Sequence, residues 1–191
     1  MRFDHFYSDP HFGHAKIIEY CARPFEDVHH QTMSLMARYN LLVKPTDRVL
    51  WLGDCFFRHT DEEMALVLEQ LNGTKVLVSG NHDRKSCRMA KVGFEFVTKQ
   101  LVWTQQGRVF RGSHYPWRGM MQDEGNLTRH ADERFPQWHP KQNKNEVLVH
   151  GHTHDTRKHN GGNAVHCGVD AWKYSPVAVD DVLDILESNG Y

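Results

Sequence analysis

Asp47-Arg-Val-Leu-Trp-Leu-Gly53-Asp54 is a nearly continuous apolar run closed by a glycine and an acid. Such a run reads as a strand buried on both faces, the pattern of parallel sheets in α/β proteins. Lys75–Val78 repeats the arrangement, and Ser79-Gly80-Asn81-His82-Asp83 closes it. Working outward, Arg2–Ser8 reads as a strand ending in Asp9-Pro10-His11, where a proline suits a strand end. Glu146–Val149 is a strand closed by His150-Gly151-His152-Thr153-His154, and Arg108–Arg111 is one that precedes His114. Functional groups of α/β sheets gather beyond the carboxyl ends of strands. Five strand ends can therefore bring these polar clusters together.

Between the strands the period changes. Ile17, Ile18 and Cys21 share one face of a helix over 14–21, and Asp27 to Leu42 is a second helix with Met33, Met36 and Ala37 on one side. Thr60 followed by Glu63 is a capping box opening a helix that runs to Leu71, with Gly73 to end it. Phe94–Val97, Gln100–Thr104 and Ala164–Val169 are further strands, and Asp180–Leu186 is a final helix. Residues 115–145 are the least regular stretch. With 191 residues and no internal repeat or linker, a single domain over 1–191 is expected, large enough to fold without a staple.

The formal net charge of −1 gives no basic field for a long polyanion, which argues against tight duplex nucleic-acid binding. Cys21, Cys55, Cys87 and Cys167 form no C-x-x-C pair and read as reduced thiols of a cytoplasmic protein. No signal-type apolar segment and no membrane-length apolar run occurs. The unusual feature is 15 histidines in short, separated clusters, the pattern of a site assembled from several loops.

Asp9, His11, Asp54, Asn81, His114, His152 and His154 offer carboxylate, amide and imidazole ligands. Borderline metals accept all three types. Seven ligands exceed one tetrahedral ion and suit two ions sharing a bridge, for which a carboxylate is the natural group. Asp9-Pro10-His11, Gly53-Asp54, Gly80-Asn81-His82-Asp83, His114 and Gly151-His152-Thr153-His154 occur in the order of the calcineurin-like metallophosphoesterases. The chain resembles that family from residue 9 to about residue 176. Phe12-Gly13-His14 and Gly168-Val169-Asp170-Ala171-Trp172 are similar to its small, capless bacterial and phage branch.

The resemblance implies a four-layer α/β/β/α sandwich of two packed mixed sheets flanked by helices. It implies two divalent ions, Mn²⁺ first, with Fe, Zn, Ni or Co also compatible. Asp9, His11, Asp54 and His154 would hold one ion; Asp54, Asn81, His114 and His152 would hold the other. A hydroxide bridging them would attack phosphorus. His82 would protonate the leaving group, with Asp83 orienting its ring. Arg58 falls where some members place a phosphate-binding arginine.

His14 either begins its helix or approaches substrate. Trp117 and Arg118, with Arg134 and Trp138, either stack a base and hold a phosphate or pack a loop. His29, His30, His59, His130, His139 and His159 read as surface residues, and His166 as a residue at the site's rim. The expected substrate is a small phosphodiester such as a cyclic nucleotide. A nuclease or polynucleotide 2′,3′-phosphoesterase is the second reading. A non-catalytic scaffold is the third, and retention of His82 and every ligand argues against it.

Overall fold

The structure is a computed structural model that describes residues 1–120, 137–159 and 161–191. Its strands are β1 (His5–Tyr7), β2 (Arg48–Trp51), β3 (Thr74–Val78), β4 (Val97–Thr98), β5 (Gln100–Gln105), β6 (Arg108–Ser113), β7 (Glu146–His150), β8 (Ala164–His166) and β9 (Val177–Ala178). The helices are α1 (Ala15–Tyr20), α2 (Val28–Leu42), α3 (Asp61–Gln70), α4 (Ser86–Lys91) and α5 (Val179–Ser188). A 3₁₀ turn spans Val169–Ala171.

One sheet has the order β4-β3-β2-β1-β9 and the other β5-β6-β7-β8. In the first, β1 to β4 are parallel and β9 runs antiparallel to β1. In the second, β5 and β6 are antiparallel, and β6, β7 and β8 are parallel. These are the two mixed sheets flanked by helices that were expected.

Alternation along the central strands explains their continuous apolar sequence. Tyr7, Val49, Trp51 and Leu77 face α2, α3 and α4, where Leu35, Tyr39, Met64, Leu68 and Met89 complete a core. Tyr7 stands edge-on to Trp51 at 4.9 Å and to Tyr39 at 5.1 Å. The alternate residues Phe6, Leu50, Leu52, Val76 and Val78 face the second sheet and meet Trp103, Phe110, Val147, Val149 and Val165. Val182 and Leu186 of α5 close that inter-sheet core. With two sheets packed on each other, only Arg48 at the start of β2 is partly open to water, so alternation by polarity disappears from Val49 to Trp51.

Several boundaries differ from the sequence reading. The buried face of α2 is Gln31, Leu35, Met36 and Tyr39, and Met33 is 53% exposed. The strand expected over 94–97 is the two-residue β4, and that expected over 164–169 ends at His166, where the chain enters the 3₁₀ turn. Helix α4 and strand β9 were not anticipated, because each is too short for periodicity to register.

Candidate metal centre

The parallel strands β1, β2 and β3 of one sheet, and β6 and β7 of the other, deliver their following loops to one place. Asp9 N donates to Gly53 O at 3.1 Å, His11 N to Asp54 O at 3.2 Å, and Gly151 N to His114 O at 3.1 Å. Asp9, His11, Asp54, His152 and His154 all have backbone φ between 50° and 72°. Non-glycine residues rarely adopt this left-handed region, and clusters of them mark sites where side-chain aim outweighs backbone preference. A Cβ added at Gly80 would overlap Asp54 Oδ1, and one at Gly151 would overlap Ser8 and Asp9 Oδ2. Both glycines exist so that carboxylates can lie against the main chain.

The side chains converge on Asp54. Its Oδ2 lies 3.6 Å from His11 Nε2, 3.5 Å from His114 Nε2 and 4.0 Å from His82 Nε2. His114 Nδ1 is 2.7 Å from Leu52 O, a group that only accepts, so this nitrogen carries the proton. In the neutral ring Nε2 is then a bare acceptor. It faces Asn81 Oδ1 at 3.0 Å and His152 Nδ1 at 3.1 Å. Two acceptors as close as His114 Nε2 and Asn81 Oδ1 repel one another unless a cation lies between them. Three groups of possible ligands result among the described residues: Asp9, His11 and His154; Asp54, His114 and His152; and Cys21, His154 and Asp170, which shares His154 with the first. Asp9 Oδ1, both ring nitrogens of His11 and His152 Nε2 are buried without a hydrogen-bond partner among the described residues. Buried polar atoms are normally satisfied, so orphans concentrated here fit a bound ion.

The electrostatics divide the rings: His11 and His152 are held neutral, whereas His154 holds a proton that an ion would have to displace. Burial, then neighbouring His154 and Arg23, hold His11 well below the ordinary imidazole range. Burial and His114 do the same to His152. Metal ligation requires the neutral ring. Burial raises the Asp54 carboxyl, while His114 acts in the opposite direction.

Behind these residues lies a shell that sequence reading missed. Arg23, 4% exposed, donates to Asp9 O at 2.9 Å, Pro10 O at 3.1 Å and Gln31 Oε1 at 3.2 Å. It also grips Asp170 through two bonds of 2.8 and 2.9 Å, and Asp170 in turn meets His154 Nδ1 at 2.9 Å. Burial opposes ionisation of Asp170, but His154 and Arg23 outweigh it and bring the carboxyl to about 2. For His154, burial lowers the pKa, yet Asp170, Cys21 and Asp9 raise it to about 10. This is the carboxylate–histidine support that orients metal ligands.

The remaining candidates fall in different places. His82 is open to solvent, with its ring 5.5 Å from that of His11 and its backbone N–H donating to Asp54 Oδ1 at 2.8 Å. Asp83 does not orient that ring as expected. Its carboxylate accepts the N–H groups of Asp54, Cys55 and Gly80 at 2.8–2.9 Å, tying two strand-end loops together. His14 stacks on Phe57 at 4.0 Å and lies 5.4 Å from the His11 ring, on the rim. Arg58 is exposed, with its guanidinium 5.4 Å from the Phe57 ring centre.

Trp117 is not a substrate contact. It is fully buried on Leu148 and Ala164, with its indole N–H on Asn163 Oδ1 at 3.2 Å, and Arg118 is exposed beside it. His139 is buried rather than exposed, its ring tilted at 4.9 Å from that of Tyr115, which is 4.7 Å from that of His152. His59 and His159 are half-buried. His166 is fully buried behind Asp9 rather than on the rim. His130 and Arg134 lie outside the described residues.

Fold and site together define a two-sheet α/β protein with a buried Asp/His cluster able to hold metal ions at the strand ends. No protein-family model matches the chain. It is 28% identical over 196 residues to the uncharacterized protein MJ1445 of Methanocaldococcus jannaschii, covering 98% of this chain and 93% of that protein. It is 28% identical over 202 residues to the gene 66 protein of Mycobacterium phage D29, covering 95% and 94%. Among solved structures, the protein of unknown function AQ665 from Aquifex aeolicus shares the fold, with a TM-score of 0.72 at 23% identity, covering 95% of this chain and 97% of that one. Vps29 from Entamoeba histolytica gives a TM-score of 0.43 at 15% identity, covering 86% and 72%. A predicted phosphoesterase from Streptococcus pneumoniae gives 0.36 at 16%, covering 88% and 72%.

Proposed function

We propose that this chain is a calcineurin-like metallophosphoesterase that uses two divalent cations to hydrolyse small phosphodiesters, cyclic nucleotides among them. The observation that carries this reading is the convergence of His11, His82 and His114 on one oxygen of Asp54, with acceptor atoms facing one another around it. Asp9, His11, Asp54 and His154 would hold one ion, and Asp54, Asn81, His114 and His152 the other. Mn²⁺ suits this mixed oxygen and nitrogen set; Fe, Zn, Ni and Co suit it as well. When bound, such a pair lowers the pKa of water and neutralises charge on the phosphoryl oxygens.

The chain's own residues supply the rest. Water attacks phosphorus on the face opposite the leaving oxygen. Its oxygen–phosphorus bond forms as the bond to the leaving oxygen breaks, and the released proton passes to solvent. His82 gives its proton to the leaving oxygen, and its 41% exposed side chain makes that proton replaceable from water. Asp83 holds the Asp54 and Gly80 loops in register beneath it. Asp170 and Arg23 fix His154 and the Asp9 loop. All four cysteines are unpaired, which supports a reducing, cytoplasmic setting. Among the described residues, no helix is long and apolar enough to cross a membrane.

The direct test uses chelated protein, Mn²⁺ and other divalent ions added back, and a chromogenic diester beside its monoester. Metal-dependent cleavage with preference for the diester is expected. His82→Ala should keep both ions and lose about 10²–10⁴-fold in turnover. Asn81→Ala should lose the second ion by direct metal analysis. Absence of cleavage with metal bound would refute the phosphodiesterase reading.

A further inference from the structure

The surface beyond His82 carries four basic side chains, Arg58, Arg84, Lys85 and Arg88, beside the acids Asp61, Glu62, Glu63 and Asp83. Asp83, Arg84, Lys85, Cys87 and Arg88 line an open pocket. The pocket joins the metal centre through a chain of contacts. Arg84 Nη2 donates to His59 O at 2.6 Å, His59 Nδ1 lies 3.1 Å from Phe57 O, and the Phe57 ring is 5.9 Å from that of His82. Arg58 stands over the same Phe57 ring, and its φ of 57° shows a backbone bent to place it there.

Three of the four acidic groups around this rim are occupied among the described residues. Asp83 is taken up by three backbone N–H groups, Asp61 pairs with Arg88, and Glu63 caps α3 at Thr60 N. Glu62 is exposed at the start of α3. Among the described residues Arg58, Arg84 and Lys85 form no salt bridge, and Arg84 and Lys85 are exposed. Arg84 and Lys85 thus follow His82 by two and three residues, and Arg58 stands over Phe57, whose ring is 5.9 Å from that of His82.

We propose that Arg58, Arg84 and Lys85 form a leaving-group subsite for a second phosphate, so that the preferred substrate is a phosphodiester whose departing alcohol is itself phosphorylated. The inference rests on the phosphodiesterase reading. A donor to the leaving oxygen must lie on the leaving side of phosphorus, so what lies beyond His82 meets the leaving group. A cyclic mononucleotide has no second phosphate to offer there. A short linear nucleotide with a terminal phosphate does. Exposed arginine and lysine side chains with no salt-bridge partner give charge-assisted hydrogen bonds to such a group.

The test compares a dinucleoside monophosphate with the same molecule bearing a terminal phosphate at one end or the other. For the wild-type protein loaded with Mn²⁺, kcat/KM should rise by about tenfold or more with one of the two terminal phosphates. In Arg84→Gln/Lys85→Gln, which keeps an amide donor for His59 O, that ratio should fall towards one. The same ratio should appear in competitive binding to the chelated protein, read by fluorescence anisotropy with a labelled phosphorylated dinucleotide. A ratio near one for both phosphates in the wild type, or an unchanged ratio in the variant, would overturn the subsite. If no diester is cleaved with any metal, the phosphodiesterase reading fails instead, and the binding ratio alone decides the subsite.

Discussion

At the scale of single residues, Arg23 carries more of the site than any residue outside the ligand set. It is buried, it binds two carbonyls of the Asp9 loop, and it shares Asp170 with His154. Arg23→Met keeps much of the volume and removes every donor. It leaves a buried carboxylate with one partner fewer, for which about 3–5 kcal/mol of lost stability is the usual cost. Affinity for the ion near Asp9 and His154 should fall about 10–100-fold. Chemical denaturation and metal titration check the two effects separately. A variant with wild-type metal affinity would show that the ligand loop holds itself. None of this was legible in the sequence, because Arg23 and Asp170 are 147 positions apart and neither chemistry nor spacing joins them. Asp54, Asn81 and the Gly-His-Thr-His run were legible as ligand types at strand ends. Asp83 was assigned to the His82 ring by the resemblance alone, whereas its oxygens reach backward to the main chain.

At the scale of elements, local signals predicted what local forces build. The Thr60–Glu63 capping box is formed in both directions, with bonds of 3.2 and 2.7 Å. Helix α4 has no side-chain cap, and β9 has only two residues, so each depends on its neighbours rather than on its own sequence. The step from α3 into β3 holds a less visible feature. Lys75 is buried and donates to Leu71 O at 2.6 Å and Gly73 O at 2.9 Å, where α3 ends. Burial brings its ammonium down to about 8. The unfolded chain titrates near about 10.4. Between those values the unfolded state binds a proton the folded state has released, so stability rises with pH across the window. Lys75→Met has no such term. The stability of the wild type relative to this variant should therefore improve by about 1–2 kcal/mol from pH 7 to 10.5, less than the full shift because the amine still reaches water. Denaturant midpoints at the two pH values measure it. A parallel pH dependence in both proteins would remove Lys75 as its source.

At the scale of the whole molecule, the site is where two sheets meet. Asp9, His11, Asp54 and Asn81 come from loops after β1, β2 and β3, while His114, His152 and His154 follow β6 and β7. That partition was not legible in the pattern of strands, because β7 and β8 are as continuously apolar as β2 and β3, and nothing local assigns them to separate sheets. An ion held by both sets would cross-link the two sheets and stabilise the folded state by mass action. One site at about a hundredfold excess over its dissociation constant contributes about 2.7 kcal/mol. For a chain of this length that raises Tm by about 5–10 °C. Chelated protein should therefore melt lower, and Mn²⁺ should restore it in a concentration-dependent way. Trp117→Ala supplies the contrast. Trp117 is buried on Leu148 and Ala164, away from the inter-sheet core, so its loss should cost about 3–5 kcal/mol and leave the metal-dependent rise in Tm intact. Asp54→Ala removes the carboxylate between the two ligand groups and should abolish the rise. A rise of wild-type size in Asp54→Ala would mean that the stabilising ion binds elsewhere, and the two-sheet cross-link would have to be abandoned.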